Sequence, residues 1–228
     1  MQLDTYGQQT QVLSQGANRV LRNTYMLLAL TMVPTVAGAL LGVQMQFSFM
    51  AGSPFISFLL FMGISFAFFY GIEKNKNSGV GVALLLGFTF FMGLMLSRIL
   101  QVALGFSNGG SMIALAAGGT GAIFATLASI ASVSKRDFTN MGKFLTVGLV
   151  VVLLAMVANI FLQMPVLHLV ISAAVVLLFS GYILYGISQI MQGGETNYVT
   201  ATLAVYLDVY NVFVSLLNLI MAFGGDRD

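Results

Sequence analysis

Seven apolar runs constrain this chain more than any other feature in it. They fall at about 24–43, 54–72, 79–104, 110–133, 144–163, 165–191 and 199–223. Each approaches or exceeds the ~20 residues with which an α-helix crosses ~30 Å of hydrocarbon. Lipid cannot hydrogen-bond a peptide group, so such segments must satisfy their backbone internally, as helices. Charged residues make up only 7% of the chain, against about 25% in a typical soluble domain. The sequence therefore predicts an all-α membrane protein, a seven-transmembrane-helix bundle forming one domain over 24–223. Residues 1–23 are expected to be a flexible cytoplasmic tail and 224–228 a short C-terminal one.

The last span, about 199–223, is expected to be the central helix. Positions 197, 201, 204, 208, 211, 215 and 218 are Asn, Ala, Ala, Asp, Asn, Ser and Asn. Each is small or polar, and they recur with a heptad period on one side of a helix that is otherwise mostly Val, Leu, Tyr and Phe. A stripe of this kind faces protein while the apolar faces meet lipid or other helices. Small and polar residues also act as plain helix–helix glue, and that reading stays open for Asn211, Ser215, Ala201 and Ala204. Asp208 is different, because an ionisable group inside a span is costly and an amide would glue as well. It is the candidate proton or cation site, with Asn211 and the hydroxyl of Tyr206 beside it.

Composition excludes several functions. The formal net charge is +2 and there is no block of basic residues to track a phosphate backbone, so nucleic acid is not an expected partner. The absence of cysteine removes disulfides, thiolate metal sites and cysteine nucleophiles, and a single histidine, His168, removes any two-histidine metal motif. No GxSxG, HExxH or GxxxxGK[ST] pattern occurs. Neither an enzyme, a metal site nor a cofactor is expected. Asn211 and a tyrosine hydroxyl cannot supply the six to eight oxygens that Ca²⁺ takes. No cleavable signal peptide is expected, since residues 1–23 are polar.

Lys and Arg set the orientation. With seven alternating spans, Arg19, Arg22, Lys74, Lys76, Lys135, Arg136 and Lys143 fall on the side of the N-terminus, and only Arg98 and Arg227 fall opposite. That places the N-terminus in the cytoplasm and the C-terminus outside. Six spans plus a shallow re-entrant segment around Asp208 would instead return the C-terminus to the cytoplasm. Arg98 lies ~10 Å beyond the middle of its span and ~14 Å in depth from Asp208, too far for a direct pair, and snorkelling to the outer interface is the favoured reading. His168, within a turn of Pro165, reads as interfacial rather than as a proton relay. Gly38 and Gly42, a GxxxG in the first span, mark a close helix contact, as do Gly118, Gly119, Gly121, Gly181 and Gly186. With no cation at its own depth, the Asp208 carboxyl is expected to be neutral and able to donate a hydrogen bond to a nearby carbonyl or amide.

Two stretches resemble the Bax inhibitor-1 (transmembrane Bax-inhibitor-motif) family. One is Ser134-Lys-Arg-Asp-Phe-Thr-Asn-Met-Gly142-Lys-Phe-Leu145; the other runs from Ser180-Gly-Tyr-Ile-Leu-Tyr-Gly186 through Gly193-Gly-Glu-Thr-Asn-Tyr198 to Tyr206-Leu-Asp208-Val-Tyr-Asn211-Val-Phe213. The detail is most similar to the bacterial YccA-like branch, whose members are linked to the membrane AAA protease FtsH. The resemblance implies an inner-membrane regulatory protein that engages that protease as modulator or slow substrate. An AAA machine grips an unstructured end, and residues 1–20 fully extended would reach ~66–72 Å. The alternative that the resemblance implies is a pH-sensitive cation leak (calcium or proton). In the family a pair of aspartates, one on each of the last two helices, forms the sensor. Asp208 matches the second, whereas Gly186 stands at the first. The basic residue that some members place on the second span is missing from 54–72.

Overall fold

A computed structural model describes residues 2–47, 54–134 and 137–224. Among these, seven helices are long and apolar enough to cross a membrane. They are α1 (Gln2–Gln44), α2 (Pro54–Asn75), α3 (Gly79–Leu104), α4 (Gly109–Val133), α5 (Gly142–Leu162), α6 (Pro165–Met191) and α7 (Tyr198–Gly224), with a 3-10 turn at Thr139–Met141 before α5. Lys135, Arg136 and Arg227, used above for orientation, and most of the expected C-terminal tail lie outside the described residues.

α7 packs against α1, α2, α3, α4 and α6. It is the central helix, and it is continuous past Asp208 with 27 residues, or ~40 Å. The re-entrant alternative therefore does not hold. α5 lies at the other extreme. Among the described residues it packs only on α6 and on the turn that precedes it, and only Leu145 and Val152 of its side chains are buried.

The most extensive helix pairing joins α1 to α3, not to its chain neighbour α2. Glycines make it possible. A Cβ on Gly38 would run into the Phe90 carbonyl, one on Gly93 into the Thr35 carbonyl, and one on Gly42 into the Ser97 side chain. Backbone thus lies on backbone, the close approach that small residues permit between membrane helices. Of the other glycines singled out above, Gly119 faces Leu216 and Gly181 faces Leu145, while Gly118 and Gly121 have nothing near their outward faces.

One expectation is corrected at the N-terminus. The tail is not irregular: α1 starts at Gln2 and runs through it. Residues 2–15 contain no proline and are rich in Gln, a good helix former. Extending a helix already nucleated by the span costs far less than starting one.

Candidate functional site

α7 carries its small and polar residues along two lines rather than one. At about 100° per residue, positions 201, 208 and 215 form one line and positions 204, 211 and 218 another, roughly 60° away. Ala201, Asp208 and Ser215 are buried. Asn211 and Asn218 are half-buried, and Ala204 is exposed. Ala204 is thus corrected from a packing residue to an outward-facing one. The three-residue step between them gives the offset, and only the first line is buried along its whole length.

Asp208 is 9% exposed. Ala201 and Val212, on nearly the same side of α7, pack in a cluster with Ala128 and Ala131 of α4 and Ile183, Ile187 and Ile190 of α6. The carboxyl thus lies on the α4–α6 side of α7. Among the described residues it has no hydrogen-bond or ion-pair partner. Gly186, at the other family position, is half-buried on α6. A Cβ there would meet Val205 Cγ2 at 3.9 Å, an ordinary contact, so the backbone position does not require glycine for space.

The three candidate residues do not converge. Tyr206 lies ~160° around α7 from Asp208 and enters a hydroxyl cluster between α1 and α3. Its hydroxyl is 3.0 Å from Thr35 Oγ1 and donates to the Thr89 carbonyl at 3.4 Å. Thr35 Oγ1 is also 2.8 Å from the Thr31 carbonyl and 3.2 Å from that of Thr89. One turn further along α7, the Tyr210 hydroxyl donates to the Met92 carbonyl at 3.3 Å. Asn211 points a third way, donating from Nδ2 to the Leu207 carbonyl at 2.7 Å while lining a groove beside α2 and α3. Tyr206 is therefore a strut joining three helices, and the unpartnered carboxyl of Asp208 stands apart from it.

Sequence reading missed Thr35 and Thr89, although a signal for them existed. Thr24, Thr31 and Gly38 are seven apart on α1, as are Thr35 and Gly42, and Thr89, Gly93 and Ser97 recur every four residues on α3. These are the same small-and-polar repeats that marked α7.

The helix ends are held by polar contacts. Asn197 Nδ2, in the α6–α7 connection, reaches Asn77 Oδ1 at 2.7 Å and the Lys76 carbonyl at 3.2 Å in the α2–α3 turn. Lys76 is hydrogen-bonded to Glu73, which pushes the ammonium above its usual range. Before α5, Asp137 Oδ1 accepts the Thr139 amide at 2.8 Å. Hydrogen bonds from the Thr139 side chain and then its backbone hold the Asp137 carboxyl below the usual carboxylate range. At the opposite end of the bundle, Gln101 Nε2 reaches the Gly42 carbonyl at 3.3 Å and Asn108 Nδ2 that of Gly224 at 2.8 Å. Arg98 and His168 are exposed. No group of three or more His, Cys, Asp or Glu side chains gathers among the described residues.

A bundle with hydroxyls, glycines and one carboxyl inside and aliphatic side chains outside is a multi-pass membrane protein. This chain belongs to the Bax1-I family, described as inhibitor of apoptosis-promoting Bax1, whose match covers residues 17–225. It is 40% identical over 205 residues to the modulator of FtsH protease YccA of Escherichia coli K12, covering 90% of both chains. An uncharacterized protein of Neisseria meningitidis is 40% identical over 232 residues, covering 99% of this chain and all of the relative. An uncharacterized membrane protein of Vibrio cholerae is 37% identical over 203 residues, 89% of each chain.

Proposed function

We propose that this protein is a non-enzymatic regulator in the bacterial inner membrane, a modulator and slow substrate of an FtsH-type AAA protease. The observation that carries the reading is the similarity to YccA along 90% of both chains. The proposed orientation puts the N-terminus in the cytoplasm, in reach of such a machine, and the C-terminus in the periplasm. The polar start of α1 is helical, yet a helix of ~14 residues outside its apolar span is marginal in water and readily unravelled. Within the membrane, α4 turns Ala114, Gly118, Gly121 and Ala125 outward, a small-residue face on which a partner's helix can pack closely. The test is to delete residues 2–15 and follow the protein's lifetime and the protease's activity in cells. A longer lifetime and a weakened effect on the protease support the reading; unchanged turnover and unchanged activity sink it.

A second reading, a pH-sensitive cation leak, is favoured by the buried, unpartnered Asp208. It predicts flux through protein-containing liposomes that Asp208→Asn abolishes or makes pH-independent. Gly186→Asp, whose Cβ would meet Val205 at 3.9 Å without a clash, would supply a second carboxyl and strengthen the pH response. Flux no greater than in empty liposomes at acidic and neutral pH, for the parent chain and for Gly186→Asp alike, removes it.

A further inference from the structure

α2 and α3 lie close near the turn that joins them, where Gly71 faces Leu84 and Gly87 faces Phe68. Stacked rings continue that contact as far as Phe61 and Phe91, 5.9 Å apart. Towards the far ends of the two helices, a groove of about 550 Å³ opens between them and is floored by Leu207, Tyr210 and Asn211 of α7. Its walls are almost wholly apolar, with Phe58, Phe66 and Met95 along its length. Phe58 and Phe66 are exposed and Phe88 and Met92 are buried, so the groove has an inner wall and an open outer side.

Two features give it direction. Arg98 lines one end, is exposed, and has no carboxylate within ion-pair reach among the described residues. Ser65 and Asn211 line the other end, and the Ser65 hydroxyl is buried without a hydrogen-bond partner among the described residues. From Arg98 to Phe88, ten residues along α3, is ~15 Å, half of the ~30 Å hydrocarbon core. Arg98 lies ~10 Å beyond the middle of α3, within snorkelling reach of the interface, so the groove spans about one leaflet, from near headgroup level to near the midplane.

We propose that this groove is a binding site for one anionic phospholipid of that leaflet, with an acyl chain between α2 and α3 and its phosphate on Arg98. A guanidinium matches phosphate with two parallel hydrogen bonds, which a snorkelling arginine at this depth is placed to make. The site is independent of any protease role.

The chain has no tryptophan, so Phe61→Trp installs a single reporter beside the groove. The full-length protein is reconstituted in phosphatidylcholine vesicles, and either phosphatidylglycerol or phosphatidylcholine with brominated acyl chains is titrated in to quench it. Half-quenching at about fivefold less brominated phosphatidylglycerol than phosphatidylcholine is expected, from ~1 kcal/mol of attraction per basic residue at an anionic lipid surface. Adding Arg98→Gln should equalise the two lipids, while Arg98→Lys should keep most of the preference and shows that the fold is intact. Phe161→Trp, on the exposed face of α5, reports bulk lipid and should show no preference. Equal quenching by the two lipids at Phe61→Trp overturns the proposal. So does a preference that survives Arg98→Gln, or one equally large at Phe161→Trp.

Discussion

α5 is built from Leu, Val, Ile and Phe around almost its whole circumference, yet it buries only Leu145 and Val152. α7 is interrupted throughout by Asn, Ala, Thr, Asp and Ser, yet its buried residues run from Val199 to Leu217 and include Asp208, Thr202 and Ser215. In water the more apolar helix would be the core. In a bilayer the lipid is as apolar as leucine, so burial there gains nothing from leaving the solvent. Position follows from what lipid cannot satisfy: backbone brought close by glycine, hydroxyls that need carbonyls, and a carboxyl.

Matched substitutions on the two helices can break this contrast. The largest difference is expected from adding bulk. Ala201→Leu, in the tight cluster with α4 and α6, should cost about 1–3 kcal/mol by overpacking. Val151→Leu on the exposed face of α5 should stay within about 0.5 kcal/mol. Denaturation in detergent, scored by migration of the folded band, compares the two; equal losses would remove the distinction between central and peripheral helices.

Tyr206→Phe should have a smaller effect. It leaves the ring among Phe88 and Tyr210 but removes the hydroxyl that meets Thr35 and Thr89. The expected loss is about 0.6 kcal/mol and at most ~1.7, the average and maximum measured for interhelical hydrogen bonds in a membrane protein. Thr35→Val in the same background should then add less than it does alone, which a double-mutant cycle measures. Full additivity would mean that the cluster is not a unit.

The smallest effect sits where α5 leaves the membrane. The Asp137 carboxylate holds the Thr139 amide and titrates below its usual range. A depressed carboxylate contributes its stabilisation above the ordinary carboxylate pKa, and loses it as pH falls through the folded-state value. Hydrogen exchange at the Thr139 amide, corrected for the intrinsic rate, should therefore quicken at acidic pH, and Asp137→Asn should flatten that response. An amide equally protected at both extremes would show that the contact is immaterial.

The spans were legible because apolar length is a local property, and α3 and α6 begin and end where hydropathy placed them. Asp208 stood out because one carboxyl in a long apolar run needs no neighbours to be conspicuous. The helical start of α1 was hidden because glutamines look like a tail to hydropathy while suiting a helix. The Tyr206–Thr35 contact joins residues 171 apart, so no sequence window holds both. The exposure of Ala204 depended on which helices lie beside that part of α7, which periodicity does not tell. The groove beside Arg98 depended on how far α2 stands from α7, which pairing in space decides and periodicity does not.

The helix that the others surround is also the last of the seven along the chain. Without α7, α1 can still pair with α3 and the Thr35 hydroxyl with the Thr89 carbonyl, but the tyrosine hydroxyl that ties both to a third helix is missing. The six earlier helices thus hold open a vacancy that only the C-terminal segment fills. A chain cut before α7 would leave the inner faces of α1, α3, α4 and α6 without the helix that they share.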